Sequence, residues 1–164
     1  MIGKQTTERL IHAFVMCHLD FCNGLLSGIP VRQVQKMQVL QNSAARLIYG
    51  IKKHESVSHI LKDLHWLPIQ TRISFKILLL AYECFYNFAP SYLKELLTLH
   101  TPVRNLRSNT KKLFVIPQVF TKSYGERSFT YTASTLWNNL PEHLKNIDTI
   151  DKFKTALKTY LFHT

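Results

Sequence analysis

The chain is predicted to be mainly α-helical: a helical bundle around a buried central helix, with a small β-hairpin in its C-terminal portion. Apolar residues recur at helical spacing through most of residues 1–99, and within them residues 64–86 form the longest strongly apolar stretch. Residues 100–164 differ, because they carry a basic loop, two short runs rich in β-branched and aromatic residues that favour strands, and a C-terminal helix. At 164 residues the chain is long enough to bury a real core.

The central helix is predicted between Pro68 and Pro90, because proline interrupts the interior of a helix. When successive residues are placed about 100° apart, Arg72, Lys76 and Glu83 share one narrow stripe, and apolar residues cover most of the rest. The apolar positions are Ile69, Ile73, Ile77, Leu78, Leu80, Ala81, Cys84 and Phe85. A membrane span is excluded because the charge-free run is far shorter than the roughly 20 residues that a bilayer requires. The helix is therefore predicted to be surrounded by protein.

Three helices are predicted before the central one, the third of them a short helix that Ser56 can cap and that carries Val57, Ile60, Leu61 and Leu64. The first begins at Thr6 or Thr7, either of which can cap it, and ends near Gly24. The second begins at Pro30, since proline suits the first position of a helix, and ends near Gly50. The apolar arc of this second helix holds Val34, Met37, Leu40, Ala44, Ala45, Leu47 and Ile48. Its opposite arc is cationic, so one face is predicted to pack and the other to face solvent.

The C-terminal portion is predicted to hold a basic loop, a strand pair and a final helix. Residues 101–112 carry four cations and no acid, which is typical of an exposed loop. The strand candidates are residues 113–116 and 129–132, with a turn at 123–125 between them. Thr149 can cap the last helix.

The net charge indicates a polyanionic partner. Twenty-one Lys and Arg against ten Asp and Glu give a formal charge of +11, which favours association with RNA, DNA or an RNA–DNA hybrid. We expect no membrane partner, since no amphipathic segment combines a cationic face with an uncovered apolar face. A plainer explanation of the excess charge is that it keeps the protein dispersed in water.

The cysteine content favours an intracellular protein, nuclear or cytoplasmic. Three cysteines form no disulfide framework, and an odd number argues against a disulfide-stapled secreted domain. Arg9 and His12 interrupt the apolar patch near the N-terminus, and no clear cleavage site follows it, so we expect no signal peptide. No transmembrane segment is expected.

No catalytic or metal-binding constellation is predicted. His54 and His59 resemble the helical ligand pair of zinc proteases, but their spacing rotates them about 140° off a shared face. Cys17, His18 and Cys22 lack a Cys-x-x-Cys step and a fourth nearby ligand. Nucleotidyl transfer needs paired acids around two metal ions, whereas the aspartates here stand alone or on predicted surface turns. We therefore expect neither an enzyme nor a bound metal or cofactor.

Two groups of cations are the candidate nucleic-acid-binding residues. The first group lies among aromatic residues, a composition suited to phosphate contacts with occasional base stacking. Its cations are Arg104, Arg107, Lys111, Lys112, Lys122 and Arg127, and its aromatics are Phe114, Phe120, Tyr124, Phe129 and Tyr131. The second group, on the second helix, is Arg32, Lys36 and Arg46. The alternative is that the aromatics form a small core inside a solvated rim of cations. Trp66 and Trp137 are predicted to be core anchors.

Eight short runs cover nearly the whole chain in a fixed order. They are LDFCNGLLSGIP at 19–30, LQNSAARLI at 40–48, LHWLPI at 64–69, RISFKIL at 72–78, APSYL at 89–93, LRS at 106–108, YGERSF at 124–129 and LWNNLP at 136–141. In this order they resemble the region after the polymerase core in reverse transcriptases of non-LTR (LINE-class) retrotransposons. Each motif is weak alone, and the common order makes the resemblance specific.

The resemblance implies that the chain corresponds to the thumb and C-terminal extension of an RNA-directed DNA polymerase. The family's catalytic Tyr/Phe-x-Asp-Asp signature, its fingers, its palm and its endonuclease would lie upstream of Met1, so the family's activity is not carried over. A thumb would grip the phosphates of the template-primer, and the palm would be its neighbour in the parent protein. Two alternatives stay open: a helical protein-interaction module and a degenerate, non-functional open reading frame.

Overall fold

The structure, a computed structural model, describes residues 3–101, 112–121 and 123–163, and these residues are mainly helical, which confirms the predicted class. The helices before the central one are Lys4–Ile11 (α1), Cys17–Asp20 (α2), Val31–Tyr49 (α3) and Ser58–Asp63 (α4). The central helix, Ile69–Phe85 (α5), lies between the two prolines that were predicted to bound it. The helices after it are Ser91–Lys94 (α6), Phe129–Asn138 (α7), Glu142–Lys145 (α8) and Ile150–His163 (α9).

The chain divides into two compact units, Met1–Ile73 and Ser74–Thr164, and the division falls inside α5. The change in composition places the predicted boundary later, between the parts 1–99 and 100–164. Compactness and composition are different properties, so the boundary predicted from composition stays a prediction.

Helical structure in the first unit runs from Lys4 to Asp20, with a π-helical stretch, His12–Met16, between α1 and α2. It begins before the predicted threonine caps, and Gly3 precedes it without a side-chain cap. A 3₁₀ turn, Asn23–Leu26, follows. The wider π turn shifts the phase of the side chains, and within it Met16 is fully buried while Phe14 is 71% exposed.

α3 is the longest helix of the first unit, and its predicted start and end are confirmed to within a residue. Gly50 ends it with φ of 65°, a left-handed conformation that glycine adopts without a steric penalty. α1 and α4 both pack against α3. The residues that α3 buries are Val34, Gln41, Ala44, Ala45 and Ile48.

One part of the predicted packing arc of α3 is wrong. Leu40 is 50% exposed and Leu47 is 67% exposed. Both residues point about 100° or more away from the centre of the face that the helix buries, at the usual rotation of 100° per residue. The predicted arc was therefore too wide, because the elements packed against α3 cover only the narrower face that holds its buried residues.

Two glutamines of α3 hold the chain that leads into α5. The Gln41 amide donates a hydrogen bond to the Leu67 carbonyl at 2.9 Å and is fully buried. Gln38 Oε1 accepts a hydrogen bond of 2.8 Å from the backbone N–H of Ile69, the first residue of α5. The two side chains also bond each other at 2.8 Å. A remote side chain thus satisfies an N–H group that the start of a helix leaves without an internal partner.

The core of the second unit is a cluster of aromatic rings. Tyr82 stacks on Phe153 with 4.2 Å between ring centroids, and Phe85 stacks on Trp137 at 5.5 Å. Phe114 lies 5.7 Å from the Trp137 ring. Trp137 is fully buried and Trp66, in the first unit, is 5% exposed, so both tryptophans are core residues as predicted.

The predicted β-hairpin is wrong. Among the described residues, β pairing is limited to an isolated antiparallel bridge between Leu99 and Phe114. Residues 129–132 form the first turn of α7 instead of a strand. Ser128 Oγ caps this helix by accepting a hydrogen bond from the Tyr131 N–H, and burial of one side of the helix outweighs the strand propensity of the Phe-Thr-Tyr-Thr run.

Candidate nucleic-acid interface

α3 presents cations on its exposed face and carries no acid of its own. The helix contains three basic residues and no aspartate or glutamate. Arg32 and Lys36 are exposed and lie one helical turn apart, so both point in nearly the same direction. A helix face with two neighbouring cations and no carboxylate is chemically suited to contacts with consecutive phosphates.

Arg46, the third cation predicted on α3, is half-buried and is engaged by the protein. Its Nη2 donates a hydrogen bond to the Glu55 carbonyl oxygen at 3.1 Å. Its Nε is buried and makes no hydrogen bond to any of the residues that the structure describes. Arg46 therefore holds the chain that follows α3, and it lies about 15 Å along the helix from Lys36.

Lys112 is also engaged inside its unit. Its ammonium donates hydrogen bonds to the Tyr86 hydroxyl at 2.7 Å and to the Lys145 carbonyl at 3.3 Å. The same ammonium lies 5.5 Å from the Phe85 ring centroid and 4.9 Å from that of Tyr86, within cation–π range. Through these contacts Lys112, the last residue of the predicted basic loop, is bonded to the aromatic core of the second unit.

The turn before α7 carries Arg127, which is exposed. Two of the five aromatics predicted around the first group are almost completely exposed, Phe120 at 97% and Tyr124 at 85%. Phe114 is buried in the core, and Phe129 and Tyr131 are half-buried. The structure thus combines both predicted readings: three rings pack, and two face solvent.

Four residues of the first group, Arg104, Arg107, Lys111 and Lys122, lie outside the described residues. Their candidate role rests on the sequence. Of the described candidates, the structure brings Arg32 and Lys36 together on one face, and it places Lys112 and Arg127 in the other unit.

An apolar groove beside the end of α3 was not predicted. It has a volume of about 570 Å³. Its lining residues are Val39, Asn42, Ser43, Arg46, Leu47, Gly50, Ile51 and Lys53. The sequence signal that could have indicated it is Val39, which lies out of phase with the buried residues of α3 and is 64% exposed.

A half-buried ion pair joins α2 to the start of α5 in the first unit. Arg72 Nε lies 3.2 Å from Asp20 Oδ1. Burial lowers the pKa of the Arg72 guanidinium, and the Asp20 carboxylate acts in the opposite direction. Beside the pair, Asn23 Nδ2 donates to Asp20 Oδ1 at 3.5 Å. In the described part of the chain, no group of three or more His, Cys, Asp or Glu is arranged to hold a metal ion.

No protein-family model, curated protein or solved structure matches this chain. The resemblance to reverse transcriptases therefore rests on the eight sequence runs and stays a prediction. Within the ranges that the structure describes, no helix combines the length and the apolar character needed to cross a membrane.

Proposed function

We propose that this chain is an intracellular, non-catalytic nucleic-acid-binding module, corresponding to the thumb and post-thumb region of a non-LTR retrotransposon reverse transcriptase. The observation that carries the proposal is the acid-free α3 with Arg32 and Lys36 exposed side by side, in a chain with a formal charge of +11. RNA, DNA or their hybrid would be held by its phosphates, so binding would be tolerant of sequence. In a parent polymerase the palm would be the neighbouring domain.

The physical basis of such binding is the release of counterions from the nucleic acid. Each phosphate that a Lys or Arg neutralises releases condensed cations, so the logarithm of the affinity falls linearly with the logarithm of the salt concentration. The slope reports how many phosphates are contacted. A module of this kind would bind every sequence tested, and its affinity would fall steeply with salt.

The test is a titration of labelled hybrid, duplex and single-stranded oligonucleotides by fluorescence anisotropy at several salt concentrations. The double variant Arg32→Gln/Lys36→Gln is expected to weaken binding to all sequences and to reduce the salt slope by about 2. The matched control is Lys62→Gln/Lys152→Gln, which removes the same charge from exposed positions outside both groups. Equal losses in the two variants would show that α3 is not the site, and salt-independent binding would overturn the proposal.

A second variant set tests the first group. Arg104→Gln/Arg107→Gln/Lys111→Gln is expected to weaken binding without loss of the fold, because these cations lie on a predicted exposed loop. Lys112→Gln is kept separate, since its ammonium bonds Tyr86 and Lys145 and its loss is expected to lower stability as well. No loss of affinity in the triple variant would show that these three cations are not part of the site and would move the site elsewhere.

The second candidate function is a helical protein-interaction module, and the groove beside α3 favours it. Val39 and Leu47 are exposed by 64% and 67%, and they line a groove of about 570 Å³. Such exposed apolar residues often mark surfaces that another protein covers. This candidate predicts association that is indifferent to salt and is lost in Val39→Ser/Leu47→Ser, whereas the proposed function predicts that this variant binds nucleic acid normally.

A further inference from the structure

Two aromatic rings of the second unit stand free of its core. Phe120 is 97% exposed and Tyr124 is 85% exposed, while the rings of Phe114, Trp137 and Phe153 in the same unit are buried. Among the described residues these are the two most exposed aromatic side chains, and the exposed cation Arg127 lies on the same turn, so both rings are available to a base of a bound nucleic acid.

The turn that carries the rings is held by a hydrogen-bonded backbone. The N–H groups of Gly125 and Glu126 both donate to the Thr121 carbonyl, at 3.0 and 3.2 Å. Gly125 N–H also reaches Thr121 Oγ1 at 3.1 Å. A Cβ atom at Gly125 would lie 2.7 Å from the Val119 Cβ and 2.8 Å from the Thr121 carbonyl oxygen, so the turn closes this tightly because the residue is glycine.

The turn is also fastened to α7. Ser128 Oγ donates to the Gly125 carbonyl at 2.7 Å and accepts from the Tyr131 N–H at 3.3 Å. Thr132 Oγ1 donates to the Glu126 carbonyl at 3.0 Å. The backbone of Gly125 and Glu126, next to Tyr124, is therefore held by the start of a helix that packs in the core, which lowers the cost of ordering Tyr124 on a ligand.

We propose that Phe120 and Tyr124 are a stacking platform for unpaired bases, so that the nucleic acid bound by this unit is single-stranded or has an unpaired end. The inference rests on the proposed function and names its substrate class. In a duplex both faces of a base are covered by its neighbours, whereas an unpaired base offers a free face to an aromatic ring. Arg127, exposed on the same turn, can reach a phosphate, although Glu126 beside it opposes an anion.

The test compares a single-stranded oligonucleotide with a duplex of the same sequence at one salt concentration. Phe120→Ala/Tyr124→Ala is expected to weaken binding of the single strand by about tenfold or more and binding of the duplex by less than about twofold. The matched control is Phe88→Ala/Tyr92→Ala, which removes two rings of the same unit that are 64% and 65% exposed. The conservative variant Phe120→Tyr/Tyr124→Phe keeps both rings and is expected to retain full affinity.

Circular dichroism checks that each variant is folded, and unfolding curves are expected to be unchanged because the four rings lie at the surface. If salt-dependent binding persists while the alanine variant binds single strand and duplex like the unmodified chain, the stacking platform is overturned and the proposed function stands. If neither form of nucleic acid binds at low salt, both are overturned. Binding to anionic vesicles that is lost in the alanine variant, without any preference for single strands, would also overturn the platform.

Discussion

The two compact units of the chain are stabilised in different ways. In the second unit, aromatic rings form the core, and their polar edges bond backbone carbonyls far away in the sequence, as Tyr82 does to Ile147 at 2.8 Å. In the first unit, α3 buries alanines and small aliphatic residues on a narrow face, and a pair of glutamines holds the chain before α5.

Both units leave large apolar side chains at the surface, among them Val39 and Leu47 in the first and Phe120 and Tyr124 in the second. A helix that packs through alanine approaches its neighbours closely, so aliphatic residues beside the contact, such as Val39 and Leu47, stay outside. The free energy of unfolding should therefore change differently in the two units when a core side chain, a side chain that bonds the backbone or a surface side chain is removed.

The largest effect is expected at Trp137. Trp137→Ala removes a fully buried ring that stacks on Phe85, together with the hydrogen bond from Nε1 to the Lys112 carbonyl at 2.9 Å. The free energy of unfolding, measured by urea denaturation, is expected to fall by about 4 kcal/mol. Phe120→Ala is the control, because its ring is 97% exposed and its loss should cost less than about 0.5 kcal/mol.

A smaller effect is expected at Gln41, which together with Gln38 bonds the chain before α5 in the first unit. Gln41→Leu keeps a side chain of similar size but leaves the Leu67 carbonyl without its donor, so unfolding is expected to become easier by about 2 kcal/mol. Gln35→Leu changes an exposed glutamine of the same helix and should be nearly neutral. A similar cost in both variants would show that the hydrogen bond from Gln41 to Leu67 contributes nothing specific.

The Tyr82 hydroxyl, at the edge of the aromatic core, is expected to make the stability of the second unit depend on pH in the alkaline range. Burial, then the charges of Tyr86 and Asp148, raise the pKa of the Tyr82 phenol above its usual value. The neutral phenol is thus favoured in the folded state, so its contribution is complete below about pH 10 and is lost as the pH rises through the raised pKa.

Tyr82→Phe is expected to be about 1 kcal/mol less stable near pH 8, because the bond to Ile147 is lost. The difference in stability between the unmodified chain and Tyr82→Phe should shrink above pH 10. Tyr82 loses its contribution when it ionises, whereas phenylalanine cannot ionise. Denaturation curves at several pH values measure it. A difference in unfolding free energy that stays constant to pH 11 would contradict the assignment of this pH dependence to Tyr82. Burial also raises the pKa of Cys84, but this residue is present in both proteins.

The smallest effect is expected at the exposed leucines of α3. Leu40→Ser and Leu47→Ser should each change the free energy of unfolding by less than about 0.5 kcal/mol, since 50% and 67% of these residues is exposed. Ile48→Ala, on the buried face of the same helix, should cost at least about 2 kcal/mol. A loss of unfolding free energy of that size in Leu47→Ser would show that Leu47 packs, as the wide arc predicted from periodicity requires.

The bounds of α3 and α5 could be predicted because local residues determine them. Proline stands before each helix, and Gly50 takes the left-handed conformation that ends α3. The exposure of Leu40 and Leu47 could not be predicted, because helical periodicity gives the direction of a side chain but not the width of the face that its partners cover.

The start of α7 was missed for a related reason. Phe129, Thr130, Tyr131 and Thr132 each favour a strand locally, and the cap from Ser128 and the burial of Ala133 outweigh that preference. At the candidate site, composition identified the exposed Arg32, Lys36 and Arg127. It could not show that Lys112 bonds Tyr86, because the two lie 26 residues apart in the sequence.

One consequence of the second unit concerns chemical ageing. Asn138, at the end of α7, donates from Nδ2 to the Phe114 carbonyl and accepts from the Phe114 N–H, both at 2.9 Å, in the way a neighbouring strand would. Hydrolysis of this amide to a carboxylate would set one negative oxygen against the Phe114 carbonyl, since an ionised aspartate has no proton to donate. Loss of ammonia from a single side chain would thus remove one of the two hydrogen bonds between Asn138 and Phe114 and weaken the attachment of this extended segment to α7.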